Sequence, residues 1–181
     1  SCSLVGSEMC IRDSYKSLDL IRSLIKIQCE VKTILTKGGA EFVTPLSIAS
    51  LSKNKVYSDM YSVENESEMD HISLSRWADL ILIAPATSNI IAKMSQGISD
   101  DLATTVVQAS DKSVFVCPAM NVRMWEHASN KQNLEKIKSY NYRIIGPFNG
   151  EMACGEYGDG RMADIKYIFC LLYTSDAADD P

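Results

Sequence analysis

A chain of 181 residues with 46% hydrophobic content is long enough for one domain with a substantial core. Its net charge of −5, without a lysine–arginine cluster, argues against a nucleic-acid or membrane-surface protein. No apolar run approaches the ~20 residues of a transmembrane helix, and the first residues lack a signal-peptide layout. Six cysteines, at 2, 10, 29, 117, 154 and 170, form no C-x-x-C pair, and only His71 and His127 could join them, so no metal site is expected. A reduced, cytosolic chain is the simplest inference.

Residues 1–14 carry neither a helical nor a strand period. From Tyr15 the pattern changes: Leu18, Ile21, Leu24 and Ile25 mark an amphipathic helix to about Gln28. Residues 30–36 read as a strand closing in Thr36-Lys37-Gly38-Gly39. Residues 40–52 read as two short helical pieces broken at Pro45, because the residue before a proline resists the helical region. Residues 58–70 are acidic and polar and read as a solvated connection.

A buried strand is predicted over 78–84, ended by Pro85. Thr87-Ser88-Asn89 then offers N-cap chemistry to a helix through Met94, Gly97 stops it, and Asp100-Asp101 start another to about Ala109. Val114-Phe115-Val116-Cys117 is a further buried strand. Residues 130–140 form a surface helix, and residues 143–146 a brief strand. Residues 150–162 contain four glycines and no period, which predicts a mobile, functional loop. Four strands alternating with helices predict an α/β, doubly wound, mostly parallel sheet flanked by helices.

The stretch Pro118-Ala119-Met120-Asn121-Val122-Arg123-Met124-Trp125 leaves a strand where open α/β sheets bind ligands. Taken alone it reads first as a strand-to-helix turn with Met124 and Trp125 as core filler. Thr87-Ser88-Asn89 could hold a phosphate at a helix start, or simply cap that helix. His71 could serve as a base near neutral pH, or be an ordinary loop histidine. Cys154, between Ala153 and Gly155, is the one cysteine whose surroundings suggest exposure. Neither G-x-G-x-x-G nor G-x-x-x-x-G-K-[ST] occurs, which disfavours a dinucleotide fingerprint and a P-loop.

Together, His71, Asn89, the P-x-M-N-x-x-M-W octapeptide and the A-C-G-x-x-G-x-G-R-M loop, in that order, resemble the homo-oligomeric flavin-containing cysteine decarboxylases. Tyr15-Lys16-Ser17, Phe42-Val43-Thr44-Pro45-Leu46 and Ala84-Pro85-Ala86-Thr87 share that look, and the similarity covers residues 15–164. Within the family it is strongest to the members that decarboxylate the cysteine moiety of 4′-phosphopantothenoylcysteine to 4′-phosphopantetheine in coenzyme A biosynthesis. Those are normally fused to a phosphopantothenate–cysteine ligase half. The resemblance implies FMN near Thr36, Phe42, Thr87, Ser88, Asn89 and Ala119, and a homotrimer in which His71 reaches a neighbour's flavin. It implies His71 as base, Asn121 as holder of the substrate carboxylate and Cys154 as proton donor. Met124, Ala153, Gly155, Arg161 and Met162 are implied as further substrate contacts.

The chain departs from the family at Glu156, where Asp is usual, and at residues 5–14, which hold neither a buried strand nor a Gly/Ser-rich turn. Residues 1–14 are therefore expected to be non-native or disordered and residues 165–181 a non-native tail, around a 15–164 domain with the first strand missing or replaced. The alternatives are a peptidyl-cysteine decarboxylase, a flavin prenyltransferase, or a non-catalytic flavin-binding regulatory subunit. Prenyltransferases lack the octapeptide, and a regulatory role gives no reason to hold His71, Asn121 and Cys154 together.

Overall fold

The computed structural model describes residues 1–6, 11–58, 71–152 and 154–176. Its main strands are β1 (Cys2–Gly6), β2 (Val31–Leu35), β3 (Val56–Tyr57), β4 (Leu80–Ala86), β5 (Ser113–Pro118) and β6 (Arg143–Ile144). They pair in parallel in the order β3–β2–β1–β4–β5–β6. The helices are α1 (Ile11–Lys26), α2 (Pro45–Ser52), α3 (His71–Trp77), α4 (Ser88–Gln96), α5 (Leu102–Ala109), α6 (Val122–Glu126), α7 (Ala128–Ser139) and α8 (Ile165–Asp176). The expected doubly wound α/β architecture is the one observed.

The alternation of side chains along a strand divides the core in two. Ile81, Ile83, Val114 and Val116 enter one apolar cluster with Leu74 of α3, Ile90 and Ile91 of α4, Val106 of α5 and Ile137 of α7. Leu82, Ala84, Phe115 and Cys117 enter the other with Leu20 and Ile21 of α1, Ile48 of α2 and Ile168 of α8. Each large side chain buried in this way contributes about 1.5–3 kcal/mol. Helix ends follow the chemistry of the sequence: Thr87 caps α4, Gly97 ends it in the left-handed region, and Asp101 and Thr104 form a capping box on α5.

The beginning of the chain differs from expectation. Residues 2–6 form a central strand, in register from Cys2↔Val31 to Gly6↔Leu35 on one side and from Cys2↔Leu80 to Val5↔Ile83 on the other. The first strand is therefore present, and α1 begins at Ile11 rather than Tyr15. A strand this short offers no visible period, and two flanking partners supply its ladder regardless of local pattern. At the other end, residues 165–176, expected outside the domain, form α8, with Ile168 fully buried and Leu172 nearly so. The acidic connection falls, from residue 59 onward, outside the described residues.

Two further expectations are corrected. Pro85 does not end its strand: β4 continues to Ala86 through an irregularity between Ile83 and Ala86, the position at which a residue without an N–H is tolerated. Nor are residues 150–162 a structureless loop. They belong to an antiparallel hairpin of β7 (Phe148–Glu151) and β8 (Tyr157–Arg161), and only 152–156 remain as connection.

Candidate active site

The strand order reverses between β1 and β4, so the crevice at their carboxyl ends is where this topology receives a ligand. Thr36 follows β2, and its Oγ1 accepts the Gly39 N–H at 3.1 Å. Phe42 closes the short 3-10 turn Gly39–Glu41 and keeps a partly exposed ring. Thr87 follows β4, is almost fully buried, and accepts the Ile90 N–H through Oγ1 at 3.3 Å. Ser88 is half-buried and Asn89 exposed in the first turn of α4. Ala119 follows β5 and donates its N–H to the Ala86 carbonyl at 2.9 Å. Small alanines form the floor, with hydroxyls and a helix N-terminus beside them. That donor set fits a flat, polar-edged cofactor with an anionic tail.

The octapeptide turns from β5 into α6. Asn121 is the N-cap, and its Oδ1 accepts the Met124 N–H at 2.8 Å. With the oxygen so engaged, the Nδ2 hydrogens are the part of the amide able to grip a carboxylate. Met124 and Trp125 pack against the apolar cluster, so they are core as well as wall.

The hairpin lies directly on this turn. The Met120 N–H donates to the Gly160 carbonyl at 2.9 Å. A Cβ on Gly160 would run into the Met120 carbonyl oxygen, and one on Gly158 would stand 2.9 Å from Val122 Cγ2. Both glycines have φ near +150°, a region other residues rarely adopt. Close approach is thus why those two positions are glycine.

At the hairpin tip, Met152 donates to the Glu156 carbonyl at 2.7 Å and Gly155 to the Met152 carbonyl at 3.0 Å. Ala153 lies outside the described residues. Cys154 is exposed, its Sγ 3.9 Å from Glu156 Oε2, while Glu156 Oε1 is 3.7 Å from Arg123 Nε. The tip is thereby tied to α6, the helix Asn121 caps. Arg161 lies over Gly150 and faces Asp164 at 3.7 Å. Met162 is fully buried in the second cluster, so its side chain serves the core.

His71 opens α3, which runs down to β4 and therefore begins on the carboxyl side of the sheet. Among the described residues no hydrogen bond or ion pair joins it to Asn121 or Cys154: the elements that carry Asn121 and Cys154 are bonded to each other, and His71 opens its helix on the same rim.

Sequence reasoning passed over Asp13 and gave Lys16 and Ser17 only as part of the Tyr15-Lys16-Ser17 resemblance, without a role. Ser17 is buried and donates to the Ala84 carbonyl at 2.9 Å. Asp13 is buried in the first turn of α1. Lys16 joins that turn to the end of β8 by donating to the Met162 carbonyl at 2.6 Å. The polar spacing of Asp13, Lys16 and Ser17 on one helix face is the signal that could have joined Asp13 to the other two.

A family model described as Flavoprotein matches residues 12–174. The coenzyme A biosynthesis bifunctional protein CoaBC of Haemophilus influenzae is 40% identical over 159 residues, covering 88% of this chain and 40% of that protein. Its Bacillus subtilis counterpart is 40% identical over 157 residues, covering 87% and 39%. The chain thus spans about 40% of the length of these curated relatives. Among solved structures, a PPC decarboxylase mutant complexed with pantothenoylaminoethenethiol matches with a TM-score of 0.79 at 29% identity, over 96% of this chain and 98% of that one.

Proposed function

The chain belongs to the Flavoprotein family, and from that premise we propose that it is an FMN-dependent decarboxylase of the cysteine moiety of 4′-phosphopantothenoylcysteine. The observation that carries the reading is the single hydrogen-bonded unit formed by the Asn121 turn and the Cys154 hairpin at the carboxyl rim of the sheet. The solved neighbours named as a PPC decarboxylase and as an FMN-binding protein support both substrate and cofactor.

Loss of CO₂ from a cysteine carboxylate would leave a carbanion without an electron sink. A thioaldehyde C=S placed β to the carboxylate accepts that pair. Bound FMN supplies the two-electron acceptance that makes the thioaldehyde and its return afterwards. Thr36, Phe42, Thr87, Ser88, Asn89 and Ala119 would hold it. His71 takes the proton released in the oxidation. The Asn121 amide hydrogens fix the carboxylate, and Cys154 returns a proton to the decarboxylated enethiolate. The hairpin, with Gly155, Arg161 and the tip, covers the substrate and keeps water from the thioaldehyde.

A homotrimer follows from the same reading. Tyr15, Phe42, Leu46, Ile72 and Tyr157 are exposed and all lie on elements at the carboxyl rim. These exposed apolar groups support an interface there, with His71 beside Ile72 reaching a neighbouring subunit's flavin.

The test is to add FMN, record the visible spectrum, and measure CO₂ release from 4′-phosphopantothenoylcysteine against a cysteine-ended peptide. Flavin binding with release from the former alone is expected. Preference for the peptide would reassign the substrate, and bound flavin without release from either would make the chain a binding subunit.

A further inference from the structure

Decarboxylation draws a proton from outside the substrate. The bond from carbon to carboxylate breaks and a C–H bond takes its place, while the electrons lent to the cofactor return. Each turnover therefore consumes one proton. On the reading above Cys154 delivers it, and the thiolate left behind must regain a proton before the next substrate is processed. The same reading has the hairpin keep water from the reacting carbon. The proton then needs an inlet that passes through a side chain.

Glu156 is placed for that task. Its Oε2 lies 3.9 Å from Cys154 Sγ, within reach of a thiol hydrogen bond. Its Oε1 faces Arg123 Nε at 3.7 Å, and 43% of the side-chain surface remains in water. The two oxygens thus serve different partners, one on the hairpin tip and one on α6. The backbone beneath is fixed, because the Glu156 carbonyl accepts the Met152 N–H at 2.7 Å. Arg123 is 88% exposed. An ion pair so open contributes little to stability, so Glu156 can be replaced without unfolding the hairpin.

We propose that Glu156 is the proton inlet of Cys154. Its carboxylate takes a proton from water and passes it to the Cys154 thiolate, the O–H bond breaking as the S–H bond forms. A carboxylic acid is a stronger acid than a thiol, so this transfer runs downhill. With substrate under the hairpin the thiol turns to the reacting carbon, and the half-exposed carboxylate remains its link to solvent. Arg123 holds that carboxylate across the gap between α6 and the tip. The proposal rests on the decarboxylase reading given above, and Glu156 acts through Cys154 rather than on the substrate.

The experiment compares the FMN-loaded parent chain with Glu156→Gln and Glu156→Asp, using mass spectrometry of the products at equal CO₂ release. All three should complete the first turnover alike, because Cys154 starts protonated. Over repeated turnovers Glu156→Gln should raise the ratio of oxidised, decarboxylated product to 4′-phosphopantetheine by about tenfold or more. Glu156→Asp, which keeps the carboxylate, should stay near the parent ratio. A second measurement uses the chain without cofactor: the infrared S–H stretch of Cys154, isolated by difference against Cys154→Ser. A carboxylate acceptor pulls that band to lower frequency than an amide does, so it should move upward in Glu156→Gln. An unchanged product ratio or an unmoved band in Glu156→Gln would overturn the proposal. So would a Glu156→Asp ratio as high as that of Glu156→Gln, which would mean a packing effect. A parent chain that releases no CO₂ would bring down the decarboxylase reading and this proposal with it. Normal release with an unchanged ratio would remove the inlet alone.

Discussion

The Met120 N–H donates to the Gly160 carbonyl at 2.9 Å, and this one bond joins the turn that carries Asn121 to the hairpin that carries Cys154. No side chain larger than hydrogen fits at Gly160, because its Cβ would overlap the Met120 carbonyl oxygen. Gly160→Ala should therefore push the hairpin off the turn, costing about 2–3 kcal/mol. Gly155→Ala meets nothing within 4 Å and is strained only by its φ of 82°, for about 1 kcal/mol. Urea denaturation of the two variants measures the difference. Equal costs would mean that the close approach at Gly160 is not constraining.

Asn121 does two separable things. As N-cap it accepts the Met124 N–H, and Asn121→Ala should lose about 1 kcal/mol of stability. Asp is as good a cap but presents no donors. Asn121→Asp should therefore melt like the parent chain while losing decarboxylation, because a carboxylate then faces a carboxylate. Retained turnover in Asn121→Asp would remove Asn121 from substrate recognition.

His71 and Cys154 act at different stages on the proposed reading. Cys154→Ser should still release CO₂ but accumulate the oxidised, decarboxylated product, visible by mass spectrometry. His71→Asn should keep bound flavin and release no CO₂. Normal 4′-phosphopantetheine from Cys154→Ser, or undiminished CO₂ from His71→Asn, would strike out the respective role.

Ser17 ties α1 to the strand end by its 2.9 Å bond to the Ala84 carbonyl. Ser17→Ala removes a buried donor and should cost about 1–2 kcal/mol. Ser17→Thr keeps the hydroxyl and tests whether the loss comes from the bond rather than from the space. A thermal melt unchanged in Ser17→Ala would show that the bond is not stabilising.

Thiol chemistry should map burial. Burial pushes the Cys2 thiol up to about 12 and Cys117 higher still, whereas Cys154 and Cys170 are exposed. With so little thiolate and no access, Cys2 and Cys117 should resist iodoacetamide at pH 8 until the chain is unfolded. Among the described cysteines, Cys154 and Cys170 should label first. Peptide mass mapping reads this directly, and early modification of Cys117 would contradict the buried strand end.

What could be read without coordinates was what is local. The Thr87 cap, the stop at Gly97 and the Asp101 start depend on neighbours within four residues, and the structure has them where the spacing predicts. The turn at Asn121 was legible for the same reason. The hairpin was not: Gly158 and Gly160 erase the side-chain period, and β8 takes its place through contact with Met120 and Val122, about forty residues away in the chain. Strand β1 was hidden because five residues held on both sides need little pattern of their own. Pro85 misled in a third way, since the irregular pairing that admits it is a property of β4 with β5.

Among the described residues the hairpin of β7 and β8 is a sheet of its own, with no ladder to the six parallel strands. Its hydrogen bonds can therefore open and reclose as a small cooperative unit while the main sheet stays folded. Amide exchange would then show two tiers of protection, a weaker one over 148–161 and a stronger one over β4 and β5. On the proposed reading the cover of the site is a foldon with its own free energy of opening, and that energy can be tuned at Gly158 or Gly160 with the scaffold left unaltered.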